Sequence, residues 1–212
     1  EAAYPWSADW YRARVEAALG SHFHDRYRLW FVENAMHTTQ GVSPSDPRPV
    51  ATTRVVSYQG VLQQALRDVA AWVEKGVAPP ESSAYRVEDG QVIVPPSAAA
   101  RKGVQPVVTL TANGGERVEV RVGEPVSFEG QIETPPGAGM VVAAEWDFEG
   151  AGDYPVISEL SQPAASVSVK QDYAFTQPGI YFPTLRAASQ RQGDPTAYGR
   201  ARNLSRVRVV VT

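Results

Sequence analysis

His37 follows the run Asp25-Arg26-Tyr27-Arg28-Leu29-Trp30-Phe31-Val32-Glu33-Asn34-Ala35-Met36, where a strongly apolar segment gives way to polar residues. A buried strand followed by a loop that carries a reactive side chain is how many α/β enzymes place a catalytic base. An imidazole there can take a proton from a nucleophile near neutral pH and return it to a leaving group. For one histidine taken alone, a hydrogen-bonded loop residue without chemistry is the simpler reading. The nucleophile is the missing piece. There are no cysteines, which removes a thiol nucleophile, disulfides and cysteine-ligated metals. No G-x-S-x-G occurs either: Gly41-Val42-Ser43-Pro44-Ser45 lacks the second glycine and the strand-turn-helix setting of a nucleophile elbow.

Other residue clusters are weaker. His22 and His24 stand two apart, which could put two imidazoles on one side of an extended segment, but no third ligand is near and a solvated loop accounts for them. Asp147, Glu149 and Asp153 are oxygen ligands of the type Ca²⁺ prefers. Their spacing does not fit an EF-hand loop, and turn polarity explains them, so no metal or cofactor is assigned. The late arginines Arg186, Arg191, Arg200, Arg202, Arg206 and Arg208 could form a basic patch for an anionic glycan, or simply a solvated strand face. Trp6, Trp10, Trp30 and Trp72 are expected to fill space between helices and sheet, with Trp6 the one placed to line a substrate pocket.

The elements that must carry these residues come in two kinds. Residues 7–20 predict a helix with Tyr11, Val15, Ala18 and Leu19 on one stripe, Ser7 or Asp9 as its cap and Gly20 as a left-handed stop. Tyr27–Val32 predict a strand buried on both faces of a parallel sheet. Residues 38–52 read as a long surface loop. Ser57–Lys75 give the clearest helix, with Tyr58, Val61, Leu62, Ala65, Leu66, Val69, Trp72 and Val73 on one face, expected to cover a sheet. Beyond residue 78, Pro79-Pro80, a hairpin pattern turning at Asp89-Gly90 and Pro95-Pro96 make a connecting region, followed by the small-residue stretch SAAARKG. Past Val104 the helical period disappears, and about seven short alternating segments predict an immunoglobulin-type β-sandwich. The division expected is 1–100 and 101–212.

The chain has 212 residues, 43% hydrophobic and 20% charged, enough for a buried core and two small domains. A net charge of −3 argues against nucleic acid as a partner, which would need a basic surface. No apolar run reaches the roughly 18–20 residues of a membrane span. The sequence opens with Glu1 and has no basic-then-apolar leader, so the expectation is that an upstream portion has been removed.

Two resemblances sharpen this reading. Gly123-Glu124-Pro125-Val126 with Phe128, then Glu145-Trp146-Asp147-Phe148-Glu149-Gly150, Asp172-Tyr173 and Pro178-Gly179-Ile180-Tyr181 leading to Leu185 resemble a PKD-type immunoglobulin-like domain. The match runs over roughly 105 residues. It departs from the usual WDFGDG at the turn, and Asp172 stands where a histidine is common. The segment Ser7-Ala8-Asp9-Trp10-Tyr11-Arg12-Ala13-Arg14-Val15, the run Tyr27–Val32, His37 and the Ser57–Lys75 helix resemble the C-terminal end of a secreted α/β-hydrolase of the tannase or feruloyl-esterase type. That resemblance covers about 75 residues and implies an order of serine, acid, histidine. It implies that His37 is the triad base and that the nucleophile lies outside this chain. The acid would lie in the loop ahead of the first helix, upstream or, less favoured, Glu1 itself.

The fold class expected is therefore a partial α/β-hydrolase C-terminal segment plus an all-β PKD-like sandwich. The function expected is the C-terminal portion of a secreted or periplasmic, bacterial serine esterase, inactive alone. It would be paired by proteolytic processing with an N-terminal chain and act on a small or polymeric ester through an acyl-enzyme. The other class kept open is a non-enzymatic extracellular module that binds carbohydrate or protein, favoured by a buried, hydrogen-bonded His37 with no carboxylate in reach.

Overall fold

A computed structural model describes residues 5–35 and 53–212. Helix α1 spans Trp6–Leu19, a 3₁₀ turn covers Gly20–His22, and α2 is the single turn Phe23–Arg26. Helix α3 spans Gln59–Lys75, the hairpin β1 (Arg86–Glu88) and β2 (Gln91–Ile93) follows, and α4 is the short Ala98–Arg101. The rest is strand: β3 Val107–Ala112, β4 Arg117–Val120, β5 Pro125–Glu133, β6 Met140–Asp147, β7 Val156–Ile157, β8 Ser166–Ala174, β9 Gly179–Tyr181, β10 Thr184–Gln190, β11 Ala201–Arg206 and β12 Arg208–Val211.

The strands form an immunoglobulin-like sandwich. One sheet has the order β3-β5-β8; the other has β11-β10-β6-β7, and β4-β12-β9 extends it beyond Val207, where β11 ends and β12 begins. All these pairings are antiparallel except β4 with β12. Alternation along β5 explains the packing: Val126, Phe128 and Ile132 point inward and are fully buried, whereas Ser127, Glu129 and Gln131 face out. They meet Trp146 of β6 and Leu185 of β10 in one core. Gly130 of β5 is required there, because a Cβ at that position would lie 2.2 Å from Leu185 Cδ2. Trp146 and Phe148 do share a face, stacked at 5.6 Å between centroids, and the Trp146 indole donates to Ser158 Oγ at 2.8 Å.

The hairpin turns as its Asp-Gly pair requires, with φ of 49° at Asp89 and 74° at Gly90. The small-residue stretch contains α4, and the Ser97 side chain caps it by accepting from the Ala100 amide.

The first half departs from expectation in three ways. Helix α1 starts after Pro5, so Ser7 and Asp9 lie inside its first turn and no side chain caps it, and the Asp9 carboxylate accepts from the Tyr85 hydroxyl at 2.7 Å; Gly20 ends the helix at φ 55°, but its ψ of −125° is not left-handed helical. Tyr27–Val32 are not a strand buried in a parallel sheet. They run half-buried and outside any named strand, and residues 80–83 lie alongside: the Ser82 and Ser83 hydroxyls accept from the Leu29 and Phe31 amides, and the Ser83 amide donates to Leu29 O at 2.9 Å. Finally, the apolar stripe of α3 covers a sheet only at Val61, which packs against Ala201 of β11 and Val104. The helix buries Gly60, Val61, Gln64 and Asp68, and Leu62, Leu66, Val69 and Val73 are exposed. None of the described helices is long and apolar enough to cross a membrane.

Candidate functional site

The site begins where the Tyr27–Val32 run ends. Asn34 takes a left-handed φ of 55°, and its carbonyl accepts from the Val56 amide at 2.7 Å, with Ala35 and Val56 forming a parallel bridge. Asparagine tolerates that backbone better than most residues. The chain therefore leaves and returns at one point. That point is held by a buried amide clamp from the sandwich. Gln105 and Asn203, each 2% exposed, reach opposite sides of the turn. The Gln105 amide accepts from the Glu33 N–H at 2.8 Å and donates to the carbonyls of Glu33 and Arg202; Asn34 Nδ2 donates to Asn203 Oδ1 and Leu204 O at 3.0 and 3.2 Å. Asn203 in turn donates to Pro106 O at 2.8 Å. The Arg101 guanidinium pairs with the Glu33 carboxylate, closing the ring of contacts.

His37 and Glu1, the residues to which the sequence points for proton transfer, lie outside the described residues. Trp6 lies in the first turn of α1, 45% exposed, and does not line the groove described next. His22 and His24 sit on the 3₁₀ turn and α2, not on an extended segment; the His24 ring packs edge-on against Phe23 at 5.2 Å.

Between α3 and residues 25–32 runs an open apolar groove of about 690 Å³, floored by Trp30, Val32 and Val61 and walled by Leu62, Val69 and Trp72. Its orientation follows from α3. Gly60 comes so close to the sandwich that a Cβ would lie 1.8 Å from the Arg200 carbonyl oxygen, and Asp68 accepts both Arg191 Nη1 and Nη2 at 3.1 and 2.8 Å. Gln64 donates to the same carboxylate at 2.8 Å. With Val61 packed on Ala201 and Val104, these contacts leave Leu62, Leu66, Val69 and Val73 facing outward. At the rim, the Arg28 guanidinium lies 4.7 Å from the Trp72 ring centroid and donates to Pro80 O.

The Asp147 cluster is structural. Its carboxylate, 1% exposed, accepts from the amides of Gly150, Ala151 and Gly152 at 2.8, 3.0 and 2.6 Å, and Glu149 accepts from the Tyr173 hydroxyl at 2.6 Å. That bond and burial push the Tyr173 hydroxyl up to about 12. Among the described residues no group of three carboxylates or histidines is arranged to hold a metal ion. The six arginines do not all make one patch: Arg191 is spent on Asp68 and Arg206 and Arg208 are exposed, whereas Arg186, which pairs with Glu145 at 2.8 Å, and Arg200 lie near Arg202.

No protein-family model and no curated protein matches the sequence. Among solved structures, the CARDB domain of a Pyrococcus furiosus protein, crystallised in complex with di-metal ions, is similar at 14% identity and a TM-score of 0.36. The match covers 51% of this chain and 88% of that one.

Proposed function

We propose that this chain is the C-terminal portion of a secreted serine hydrolase that cleaves carboxylic esters through an acyl-enzyme, with a PKD-type sandwich behind it. The observation that carries this reading is the pairing of the run Tyr27–Val32, which belongs to no sheet, with a helix that leaves Leu62, Leu66, Val69 and Val73 of its apolar stripe open to solvent. A last strand and its closing helix have those properties when the remainder of their sheet is supplied from elsewhere. In this reading His37, directly beyond the clamped turn at Asn34, takes the proton from a serine hydroxyl on the missing portion and returns it to the leaving alkoxide. Glu1 or a carboxylate upstream would orient the imidazole, and Trp6 would contribute to the substrate pocket. The buried clamp at Gln105 and Asn203 fits a sandwich that steadies the base's loop, in addition to any glycan binding of its own.

The test is to purify the protein from its natural source, measure intact mass and label with a fluorophosphonate probe. A polypeptide other than the 23.0 kDa chain, or a longer one containing it, should take up the label. His37→Ala should then lower ester turnover by at least about a thousandfold. Recovery of the 23.0 kDa chain alone, folded, monodisperse and unlabelled, overturns the proposal.

A further inference from the structure

The fold buries seven of its described arginines wholly or in part, and six of them have evident partners. Arg12, Arg101, Arg186 and Arg191 face carboxylates, and Arg28 and Arg200 donate to backbone carbonyls. Arg202 of β11 is the exception: among the described residues its guanidinium has no hydrogen bond, ion pair or ring contact, although its backbone carbonyl is held by Gln105. Leaving a half-buried charge unmatched is costly, because desolvation weakens the ion without any compensating bond.

The neighbourhood of Arg202 is prepared for an anion. In the sheet register Ala188 faces Arg202, and Arg186 faces both Leu204 and Glu145. Arg186 and Arg202 are therefore diagonal neighbours on the same, outward face, about 7–8 Å apart at the backbone. Two guanidinium forks at that separation can converge on one small ligand. Arg186 is fixed from two sides, by Nε donating to Glu145 and by its guanidinium carbon lying 3.8 Å from the Tyr154 ring centroid. Tyr154 is 4% exposed and holds a φ of 51°, a left-handed backbone that a bulky side chain adopts at a cost. Strain of that type persists where the surroundings enforce it, and such positions cluster at binding sites. Arg200 adds a third positive charge beside Arg202, against the single carboxylate of Glu145. Burial and these two arginines push the Arg202 guanidinium below its ordinary range, with Glu145 opposing.

We propose that Arg202 and Arg186, with Arg200 at the edge, form a binding site for a planar, singly charged carboxylate on the outer face of the β6-β10-β11 sheet. The guanidinium forks suit the two coplanar oxygens of a carboxylate. Glu145 disfavours a doubly charged phosphate in the same place. The site is independent of the hydrolase reading, since it uses only sandwich residues.

The test is an NMR titration of the full chain, following the arginine Nε–H signals, with sodium benzoate and sodium acetate at constant ionic strength and sodium chloride as the control. Saturable shifts at Arg202 and Arg186 are expected with the carboxylates and not with chloride. Arg202→Gln should weaken binding at least about tenfold, whereas Arg208→Gln, on an exposed position of β12, should leave it unchanged. Arg202→Lys keeps the charge without the fork and should weaken binding about threefold or more, which also serves if the glutamine variant fails to fold. Shifts that never saturate, equal shifts with chloride, wild-type affinity in both Arg202 variants, or phosphate binding as tightly as benzoate would each overturn the proposal.

Discussion

Trp146 in the sandwich and Leu66 on α3 are both large apolar side chains on regular elements, yet the first is fully buried and the second 66% exposed. The difference is one of closure. Two sheets can bury each other's inner faces, so the residues from Val107 onward finish their own core. The helical half has no opposing layer among the described residues. It is held to the sandwich by Asp68 with Arg191, Asn34 with Asn203 and a small apolar contact of Val61 with Ala201 and Val104, while Leu62, Leu66, Val69 and Val73 stay outside.

Removing the sandwich's centre should break the comparison most severely. Trp146→Ala leaves a cavity where an indole stacked on Phe148, and about 3–5 kcal/mol of stability should disappear in urea unfolding. An equally cooperative transition at the wild-type midpoint would mean that the two halves are not differently closed. Asp68→Ala is next: it strands the Arg191 guanidinium and should cost roughly 2 kcal/mol, felt locally. Hydrogen exchange should speed up in the α3 amides and stay unchanged in β5 and β6. The smallest effect should come from Leu66→Glu with Val73→Glu, on side chains 66% and 81% exposed. Stability should move by no more than about 0.5 kcal/mol. A larger loss would show that the stripe is covered after all.

The sequence was most readable where one period governed burial. Short alternating segments mark β3, β4, β5, β6, β8, β12 and the stretch that holds β9 and β10, and Asp89-Gly90 marks the hairpin turn. The pattern ARNLSR hid β11, because Asn203 and Arg202 serve as clamp and polar surface and break the apolar rhythm. The short β7 has only two residues to announce it. The helical period of α3 is plain in the sequence, but periodicity reports which face is apolar and not whether anything lies against it. The close approach of Gly60 to Arg200 and the Gln105 clamp depend on contacts distant in sequence, for which no local signal exists. For the site, His37 and Glu1 were legible only as types and spacing and fall outside the described residues, whereas the unmatched guanidinium of Arg202 emerged only from the register of three strands.

The placement of β12 has a consequence for synthesis. It is the middle strand of the β4-β12-β9 group, with Val209 pairing both Val118 and Tyr181. Neither neighbour can complete its ladder until residues 208–211 have left the ribosome. At about 5–20 residues per second, β4 would wait several seconds with its edge unprotected. Arg117 and Glu119, which form an ion pair on its exposed side, would keep that waiting edge charged and discourage pairing with the wrong strand.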